Sequence, residues 1–326
     1  MNGPPVIALA AVTSDLHLPG AAEAVLTEAA RVHRERGLLE AVLVGDRTID
    51  PDLSLTGGRN LLREAKVRVK EWAMEAGLSV AAAEEELWRG PQGDSLARQW
   101  LGTVERTEAL HRYVEGLVRE GALPRVLDTG GNDADKERRV KRAAELLGQP
   151  GLSLLAVLER SFAFRPLCGV ESRLLGGTLA LDLPYIDLPY VGDPAPELEG
   201  WRRQAIEILA AHRGIERIGI ERIVFRAHLN SDPALRREAG CAWYIPLFNE
   251  ARRLHPQAEL IHVCGHSHQL PAPYRLGEVL VIPVGYGKAE GAQRLLLMDY
   301  LGRDAWRLLD FDIESGRLVN EQPVRP

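Results

Sequence analysis

The sequence predicts an α/β fold, on two observations. Short apolar runs rich in β-branched residues alternate with segments of helical periodicity, a pattern typical of parallel strands that are buried on both faces. The first such unit consists of Val6–Thr13, the helical segment 21–36 and Ala41–Val44. Near the end of the chain, strand patterns follow one another without helices and predict an antiparallel meander that completes a second sheet. These later strand candidates are 279–284, 294–300, 305–311 and 318 onward.

Length and composition describe an ordinary globular chain. Its 326 residues are 45% hydrophobic and 26% charged, which is enough to bury a sizeable core. A formal charge of −6 disfavours binding nucleic acid through a broad basic surface, because that mode requires clustered lysine and arginine. The three cysteines are widely spaced, and the sequence shows neither a secretory signal nor an apolar run of membrane-spanning length. We therefore expect a cytoplasmic protein with reduced thiols and no membrane association.

The first strand-helix-strand unit has recognisable boundaries. The helix 21–36 begins after the breaker Pro19-Gly20, and Gly37 is a suitable residue just beyond its end. The strand Ala41–Val44 leads into Gly45-Asp46, where the glycine allows the backbone to approach a ligand closely.

Residues 52–123 predict a helical insertion between the second and third strands of a single domain that spans 1–326. Helical patterns at 60–76, 80–88 and 95–119 are separated by Gly77 and by the breaker 90–93. Two interpretations of the insertion stay open. Its tryptophans either form a small core that packs these helices on the main sheet, or belong to a cap over the functional cleft. These tryptophans are Trp72, Trp88 and Trp100.

Two further segments are rich in charges or turns. The charge run 134–139 opens a helix, and we interpret it as a solvated helix face. Between residues 152 and 190, short apolar runs alternate with turn residues and predict antiparallel strands with proline-containing loops. The tetrapeptide Asp-Leu-Pro-Tyr occurs there twice and ends in Tyr185 and Tyr190. Both tyrosines are either loop residues or residues that stack on a ring of the substrate.

Five strand-like runs end in residues of types that bind metals. In an α/β sheet such strand ends lie along one edge, where ligands bind, so we expect these side chains to converge. Two of the histidines leave the run 259–263 at positions i and i+2 and point to the same side. Carboxylate, imidazole and amide groups together suit divalent ions such as manganese, iron or zinc. The seven candidate metal ligands are Asp15, His17, Asp46, Asn132, His228, His266 and His268.

In this order, the motifs resemble those of the calcineurin-like metallophosphoesterases. The blocks read Asp15-Leu16-His17, Gly45-Asp46, Gly131-Asn132-Asp133, His228 and Gly265-His266-Ser267-His268, and they span most of the chain. The third block departs from the family, which usually has histidine where this chain has Asp133. The residue that assists the leaving group in the family is therefore missing.

The resemblance implies a two-sheet αββα sandwich and a centre of two divalent metal ions, such as Mn²⁺, Fe²⁺/Fe³⁺ or Zn²⁺. It assigns Asp46 as the ligand that bridges both ions, and it implies attack on phosphorus by a hydroxide that also bridges them. The other ligands of one ion would be Asp15, His17 and His268, and those of the second ion would be Asn132, His228 and His266. The residues with catalytic roles would be Asp46, Asn132, Asp133 and His228.

Three functions remain open on these grounds. The first is a phosphodiesterase for a nucleotide or another small diester, because a diester needs less protonation of its leaving group than an alkyl monoester. The second is a phosphomonoesterase in which Asp133, Asp135 or a residue of the insertion supplies the acid. The third is a metal-binding scaffold without turnover. Beside two cations we expect the pKa of Asp133 to be lowered, which would make it a poor acid.

Overall fold

The computed structural model describes residues 9–49, 85–86, 88–91, 93–131, 133–185, 196–213, 219–231, 243–302 and 305–325. Within these ranges the chain forms two β-sheets that pack face to face, and helices cover their outer faces. This αββα sandwich is the fold class expected from the sequence.

The helices and strands follow one another along the chain as in an α/β protein and end in a run of strands. The strands are β1 (Leu9–Thr13), β2 (Glu40–Leu43), β3 (Val126–Asp128), β4 (Phe164–Pro166), β5 (Glu171–Leu175), β6 (Thr178–Asp182), β7 (Arg222–Ala227), β8 (Glu259–Cys264), β9 (Tyr274–Leu276), β10 (Val279–Pro283), β11 (Gly285–Gly287), β12 (Ala292–Asp299), β13 (Trp306–Asp312) and β14 (Leu318–Val324). The helices are α1 (Pro19–Arg36), α2 (Gly93–Arg119), α3 (Asp133–Leu146), α4 (Leu154–Arg160), α5 (Pro196–Ala211) and α6 (Tyr244–Leu254).

The two sheets divide the chain between them. In the first sheet the strand order is β14-β13-β12-β1-β2-β3-β4, with β11 paired to β12, and β1 to β4 run parallel. In the second sheet the order is β5-β6-β7-β8-β10-β9, and β6, β7, β8 and β10 run parallel. The antiparallel hairpin β5-β6 confirms part of the strands expected between residues 152 and 190. The start of that segment differs from the prediction, because Leu154–Arg160 forms a helix and β4 pairs parallel with β3.

The C-terminal meander joins the first sheet, so the prediction that it completes the second sheet is wrong. Strand β12 pairs antiparallel with β1, and all eight of its residues are buried. A strand that is apolar on both faces needs cover on both faces. Leu295 and Leu297 pack in the cluster that contains α1, and Leu296 and Met298 pack in the layer between the sheets. Of the late strand candidates, only 279–284 (β10) belongs to the second sheet.

Alternate residues of the central strands face different layers. Ala11 and Leu43 pack with α1, whereas Val12 and Val42 pack in the layer between the sheets. On the outer face of the second sheet, residues of α5 and α6 pack on β6, β7 and β8. Because both faces of these strands are buried, their sequences are continuous apolar runs.

Helix α2 is the described part of the predicted insertion, and it packs on the body of the domain. Trp88 and Trp100 are buried together with Val140 of α3 and Leu154 of α4. These two tryptophans therefore form a small core, as expected, but it packs α2 on other helices and not on the main sheet. Trp72 and the predicted helix 60–76 lie outside the described residues. Among the residues that the structure describes, no helix combines the length and the hydrophobicity needed to cross a membrane.

A charged cluster lies between the two sheets and connects them. The guanidinium of Arg226 on β7 is fully buried and donates two hydrogen bonds of 2.7 Å to the carboxylate of Asp182 on β6. It also pairs with Glu40 on β2 of the first sheet and donates a 3.0 Å hydrogen bond to the hydroxyl of Tyr300. Arg226 therefore links the two sheets two residues before His228.

Buried His262 makes the fold sensitive to acid. Burial lowers the pKa of His262 to about 3, and its Nδ1 lies 2.9 Å from the hydroxyl oxygen of Ser231. A histidine in an unfolded chain has a pKa of about 6.5. Between that pH and about 3, His262 therefore binds a proton in the unfolded chain but not in the folded protein. The contribution of His262 to the free energy of unfolding is therefore fully present above pH ~6.5. It falls by about 1.4 kcal/mol per pH unit as the pH drops from there towards 3.

We predict that His262→Phe makes the stability of the protein less dependent on pH on the acid side. Phenylalanine keeps the packing against Tyr244 and Phe248 and has no proton to bind. Urea unfolding of metal-free protein between pH 7 and about 4 gives the slope of the free energy of unfolding against pH. A mutant slope equal to that of the parent protein would contradict the assignment.

Candidate metal centre

Six of the seven candidate ligands lie together where strands of both sheets end. Asp15 and His17 follow β1 and Asp46 follows β2 in the first sheet, whereas the remaining three histidines follow β7 and β8 in the second sheet. The expectation of a single sheet edge is therefore wrong, since the residues meet across the sandwich. Asn132 lies outside the described residues.

Four imidazoles form two close pairs. Nε2 of His17 lies 3.0 Å from Nε2 of His268, and Nδ1 of His266 lies 2.9 Å from Nε2 of His228. Two nitrogens that bind one ion at about 2.1 Å and at right angles to each other are about 3.0 Å apart. Each pair therefore has the spacing of two neighbouring ligands of one ion.

The carboxylate of Asp46 lies between the two imidazole pairs. Its Oδ2 is 3.8 Å from Nε2 of His17, and its Oδ1 is 3.9 Å from Nε2 of His228. The side chain is 2% exposed, so both oxygens face the protein interior. This is the position that a carboxylate shared by two ions would take.

Asp15 has an oxygen suited to a cation. Its Oδ2 accepts hydrogen bonds from the hydroxyl of Ser14, at 2.6 Å, and from the backbone N–H of His266, at 2.8 Å. Its Oδ1 is buried and accepts no hydrogen bond from the described residues. An unsatisfied carboxylate oxygen is costly in the interior unless a cation binds it.

The candidate ligand atoms fall into two groups, in each of which all atoms lie within 4.8 Å of one another. One group consists of Asp15, His17 and His268, and the other consists of Asp15, Asp46 and His228. Asp15 belongs to both.

Backbone carbonyls orient two of the imidazoles. Nδ1 of His17 lies 3.3 Å from the carbonyl oxygen of Thr48, and Nδ1 of His228 lies 3.1 Å from that of Val44. A carbonyl oxygen only accepts hydrogen bonds, so both Nδ1 atoms carry the proton. The lone pair of each ring is then on Nε2, the nitrogen that faces the centre, as in metal-binding histidines.

The backbone around the centre is strained and closely packed. Asp15, His266 and His268 have φ values of 51°, 63° and 51°, which non-glycine residues rarely adopt and which are typical of functional sites. A Cβ on Gly131 would lie 1.9 Å from Oδ1 of Asp46, and one on Gly265 would lie 1.9 Å from Oγ of Ser14. At Gly45, where the sequence predicts a close approach of a ligand, a Cβ would lie 2.3 Å from Oγ of Ser14 and 2.5 Å from Nδ1 of His228, so side chains of the centre already pack against this glycine.

A lysine that the sequence interpretation missed lies beside Asp46. The ammonium group of Lys136 donates to Oδ2 of Asp46 at 2.8 Å and to the hydroxyl oxygen of Thr48 at 2.6 Å. The hydroxyl of Thr48 in turn donates to Oδ1 of Asp133 at 3.0 Å. Lys136 and Glu137 are each 4% exposed, so the interpretation of the run 134–139 as a solvated face is wrong for these two residues.

Glu137 has a structural partner that explains its burial. Its Oε2 accepts hydrogen bonds from the backbone N–H groups of Leu154, at 2.7 Å, and Leu155, at 3.1 Å. The carboxylate thus satisfies the first N–H groups of α4 and interacts favourably with the positive end of that helix. Such a partner, 17 residues away in the sequence, cannot be recognised from a charge run alone.

The pKa values of the Asp46 and Asp133 carboxyl groups are shifted in opposite directions. Burial raises the pKa of Asp46, but Lys136, His228 and His17 outweigh it and hold the pKa well below its usual range. Burial and the charge of Asp46 instead raise the pKa of Asp133 to about 7, against the opposing effect of Lys136. This raised pKa belongs to the protein without bound metal, so the lowered pKa expected for Asp133 beside two cations stays a prediction.

Two elements outside the ligand motifs complete the centre. Helix α2 anchors the loop after Asp46, because Oγ1 of Thr107 accepts a 3.1 Å hydrogen bond from the N–H of Ile49 and Nε2 of His111 lies 3.3 Å from the carbonyl oxygen of Arg47. The ring of Tyr185 meets that of His228 edge to face, with 4.9 Å between the centroids. The structure thus places Tyr185 beside the centre, whereas Tyr190 lies outside the described residues.

The comparisons with known proteins concern the fold. No protein-family model matches the chain, and no curated protein matches it. Among solved structures, the chain is similar to a dimetal phosphatase from Danio rerio, with 12% identity, a TM-score of 0.47 and coverage of 98% of both chains. It is also similar to the purple acid phosphatase PPD1 from yellow lupin (Lupinus luteus) seeds, with 10% identity, a TM-score of 0.47 and coverage of 98% of this chain and 54% of that chain.

The two imidazole pairs predict which substitutions remove the same ion. We expect His268→Ala and His266→Ala each to lower the content of bound Mn²⁺ by about one ion per chain, because each removes one ligand from a different pair. Combining His268→Ala with His17→Ala should cause no further loss, whereas combining it with His266→Ala should remove both ions. Elemental analysis after equilibrium dialysis against saturating Mn²⁺, corrected for the free metal, measures the content. Loss of both ions in each single variant would instead indicate one shared site.

Proposed function

We propose that the chain is a calcineurin-like metallophosphoesterase that uses two divalent cations to hydrolyse a small phosphodiester, such as a nucleotide. The proposal rests on one observation. The His17–His268 pair and the His228–His266 pair lie on opposite sides of the buried Asp46 carboxylate. The motif resemblance and the αββα fold support it.

The donor set fits two borderline divalent cations such as Mn²⁺, Fe²⁺ or Zn²⁺. Asp15, His17 and His268 would hold one of them, and His228, His266 and Asn132 the other. Asp46 would serve both, because its two oxygens face different imidazole pairs. Two cations in such a site clamp the phosphoryl oxygens and lower the pKa of water that is to attack phosphorus.

The protein itself would supply orientation and a dry environment. Asp15, Asp46 and His228 are at most 2% exposed, so their charges and dipoles act in a region from which water is excluded. The half-buried ring of Tyr185 lies at the His228 side of the centre, where it would contact a ring of the substrate.

Asp133 decides between diester and monoester substrates. At the position where the family has histidine, this chain has a carboxyl group that accepts a hydrogen bond from Thr48. Next to two cations a carboxyl group favours its anion, which is a poor proton donor. A diester with a good leaving group requires no such donor, and this favours the diesterase.

The raised pKa of Asp133 favours a second candidate, a phosphomonoesterase. With a pKa of about 7 the carboxyl group holds a proton in a substantial fraction of molecules at neutral pH. If Asp133 kept that proton in the loaded enzyme, it would be able to protonate the alkoxide of a monoester.

A paired assay with Asp133→Asn separates the candidates. On bis(4-nitrophenyl) phosphate and 4-nitrophenyl phosphate with saturating Mn²⁺, we expect faster hydrolysis of the diester, and a change of less than about tenfold in its rate for Asp133→Asn. A monoesterase would prefer the monoester. On an alkyl monoester such as glycerol phosphate, whose alkoxide leaving group needs a proton, it would lose about a hundredfold or more in that variant, since asparagine donates no proton in catalysis. Asp46→Asn is the inactive control.

Two outcomes would contradict the diesterase. One is a thousandfold loss of diester turnover in Asp133→Asn with both ions still bound, which would give Asp133 a direct chemical role. The other is two bound ions without turnover of either ester, which would favour the metal-binding scaffold.

A further inference from the structure

The buried ammonium group of Lys136 lies at the candidate metal centre. It lies 2.8 Å from Oδ2 of Asp46, and the side chain is 6% exposed. Oδ2 is the oxygen that faces the His17 side, since it lies 3.8 Å from Nε2 of His17. A cation bound by His17 and His268 would therefore share this oxygen with the lysine.

The position of Lys136 in its helix is unfavourable for structure alone. It belongs to the first turn of α3, which begins at Asp133. The N-terminus of a helix carries a partial positive charge, so a lysine there is destabilised relative to one at the C-terminus. Lys141 on the same helix lacks this environment, because its side chain is 61% exposed and pairs with Glu137.

We propose that Lys136 acts as a built-in competitor that weakens the binding of the cation at the His17–His268 pair. The inference rests on the proposed two-metal function and specifies how that centre is loaded. The ion at the His228–His266 pair faces Oδ1 of Asp46 instead, so it binds more tightly. The fraction of chains with both ions bound then rises with the free concentration of the metal. The activity of the enzyme rises with it.

The competition has an electrostatic and a direct component. Lys136 adds one positive charge to a region that has to accept two divalent cations, which lowers the affinity for both and more strongly for the nearer one. It also donates a hydrogen bond to Oδ2, which makes this oxygen a weaker ligand for a metal ion. Thr48 holds the ammonium group in this place through the 2.6 Å hydrogen bond.

Calorimetric titration of the metal-free chain with Mn²⁺ at constant pH tests the proposal without an activity assay. For the parent protein we expect one tight and one weak site. Lys136→Gln removes the charge but retains a hydrogen-bond donor for Asp46, and Lys136→Met removes both. We expect either variant to bind the weak ion about tenfold or more tightly, while the affinity of the tight ion rises less than about threefold.

Lys141→Met is the matched control, since it removes a lysine from the same helix at an exposed position; its two affinities should equal those of the parent protein. Adding His268→Ala to Lys136→Gln should abolish the gain, because the weak site then lacks a ligand. Circular dichroism identifies which of the two Lys136 variants is folded, and titration of the folded one decides the question.

A weak-site affinity unchanged within about threefold in a folded Lys136 variant, with two ions still bound, would overturn the role of Lys136 and leave the proposed function intact. An equal gain in Lys141→Met would also overturn it. A parent protein that binds no Mn²⁺ would refute the two-metal function itself.

Discussion

The centre depends on the alignment of two separate sheets, and the buried ion pairs of Arg226 connect those sheets next to it. Asp15 and Asp46 belong to loops of the first sheet, whereas His228 belongs to a loop of the second. A slip of one sheet over the other would separate Asp15, His17 and Asp46 from the three histidines of the second sheet. Arg226 pairs with Asp182 in its own sheet and with Glu40 in the other, two residues before His228. Because a buried ion pair contributes little net stability, we infer that this one fixes the position of one sheet relative to the other.

Local backbone conformations and hydrogen bonds then hold the candidate metal ligands close to one another. The left-handed backbone at Asp15 and His266 costs about 1–3 kcal/mol per residue. Hydrogen bonds from Ser14 and from the N–H of His266 to Asp15 hold this arrangement, and helix α2 supports the loop after Asp46. Such a site is assembled before any ligand arrives, which lowers the cost of binding and of orientation.

The sequence was informative wherever a property is local. The runs Ala41–Val44 and 259–263 were recognised as strands because burial on both faces leaves a continuous apolar pattern, and the polar residues after them identified candidate ligands. The assignment of β12 to the first sheet was not accessible, because Leu297 pairs with Ala11, which lies 286 positions earlier. Lys136 was missed for a similar reason, since its burial depends on Asp46 and Thr48 in another loop.

The central claim is that Asp46 lies between two bound cations, and anomalous X-ray scattering from crystals soaked in Mn²⁺ tests it most directly. The account predicts two peaks about 3.5–4 Å apart, one at the His17–His268 pair and one at the His228–His266 pair. Oδ1 and Oδ2 of Asp46 should each be bound to a different peak. A single peak, or two peaks on the same side of the carboxylate, would contradict the account.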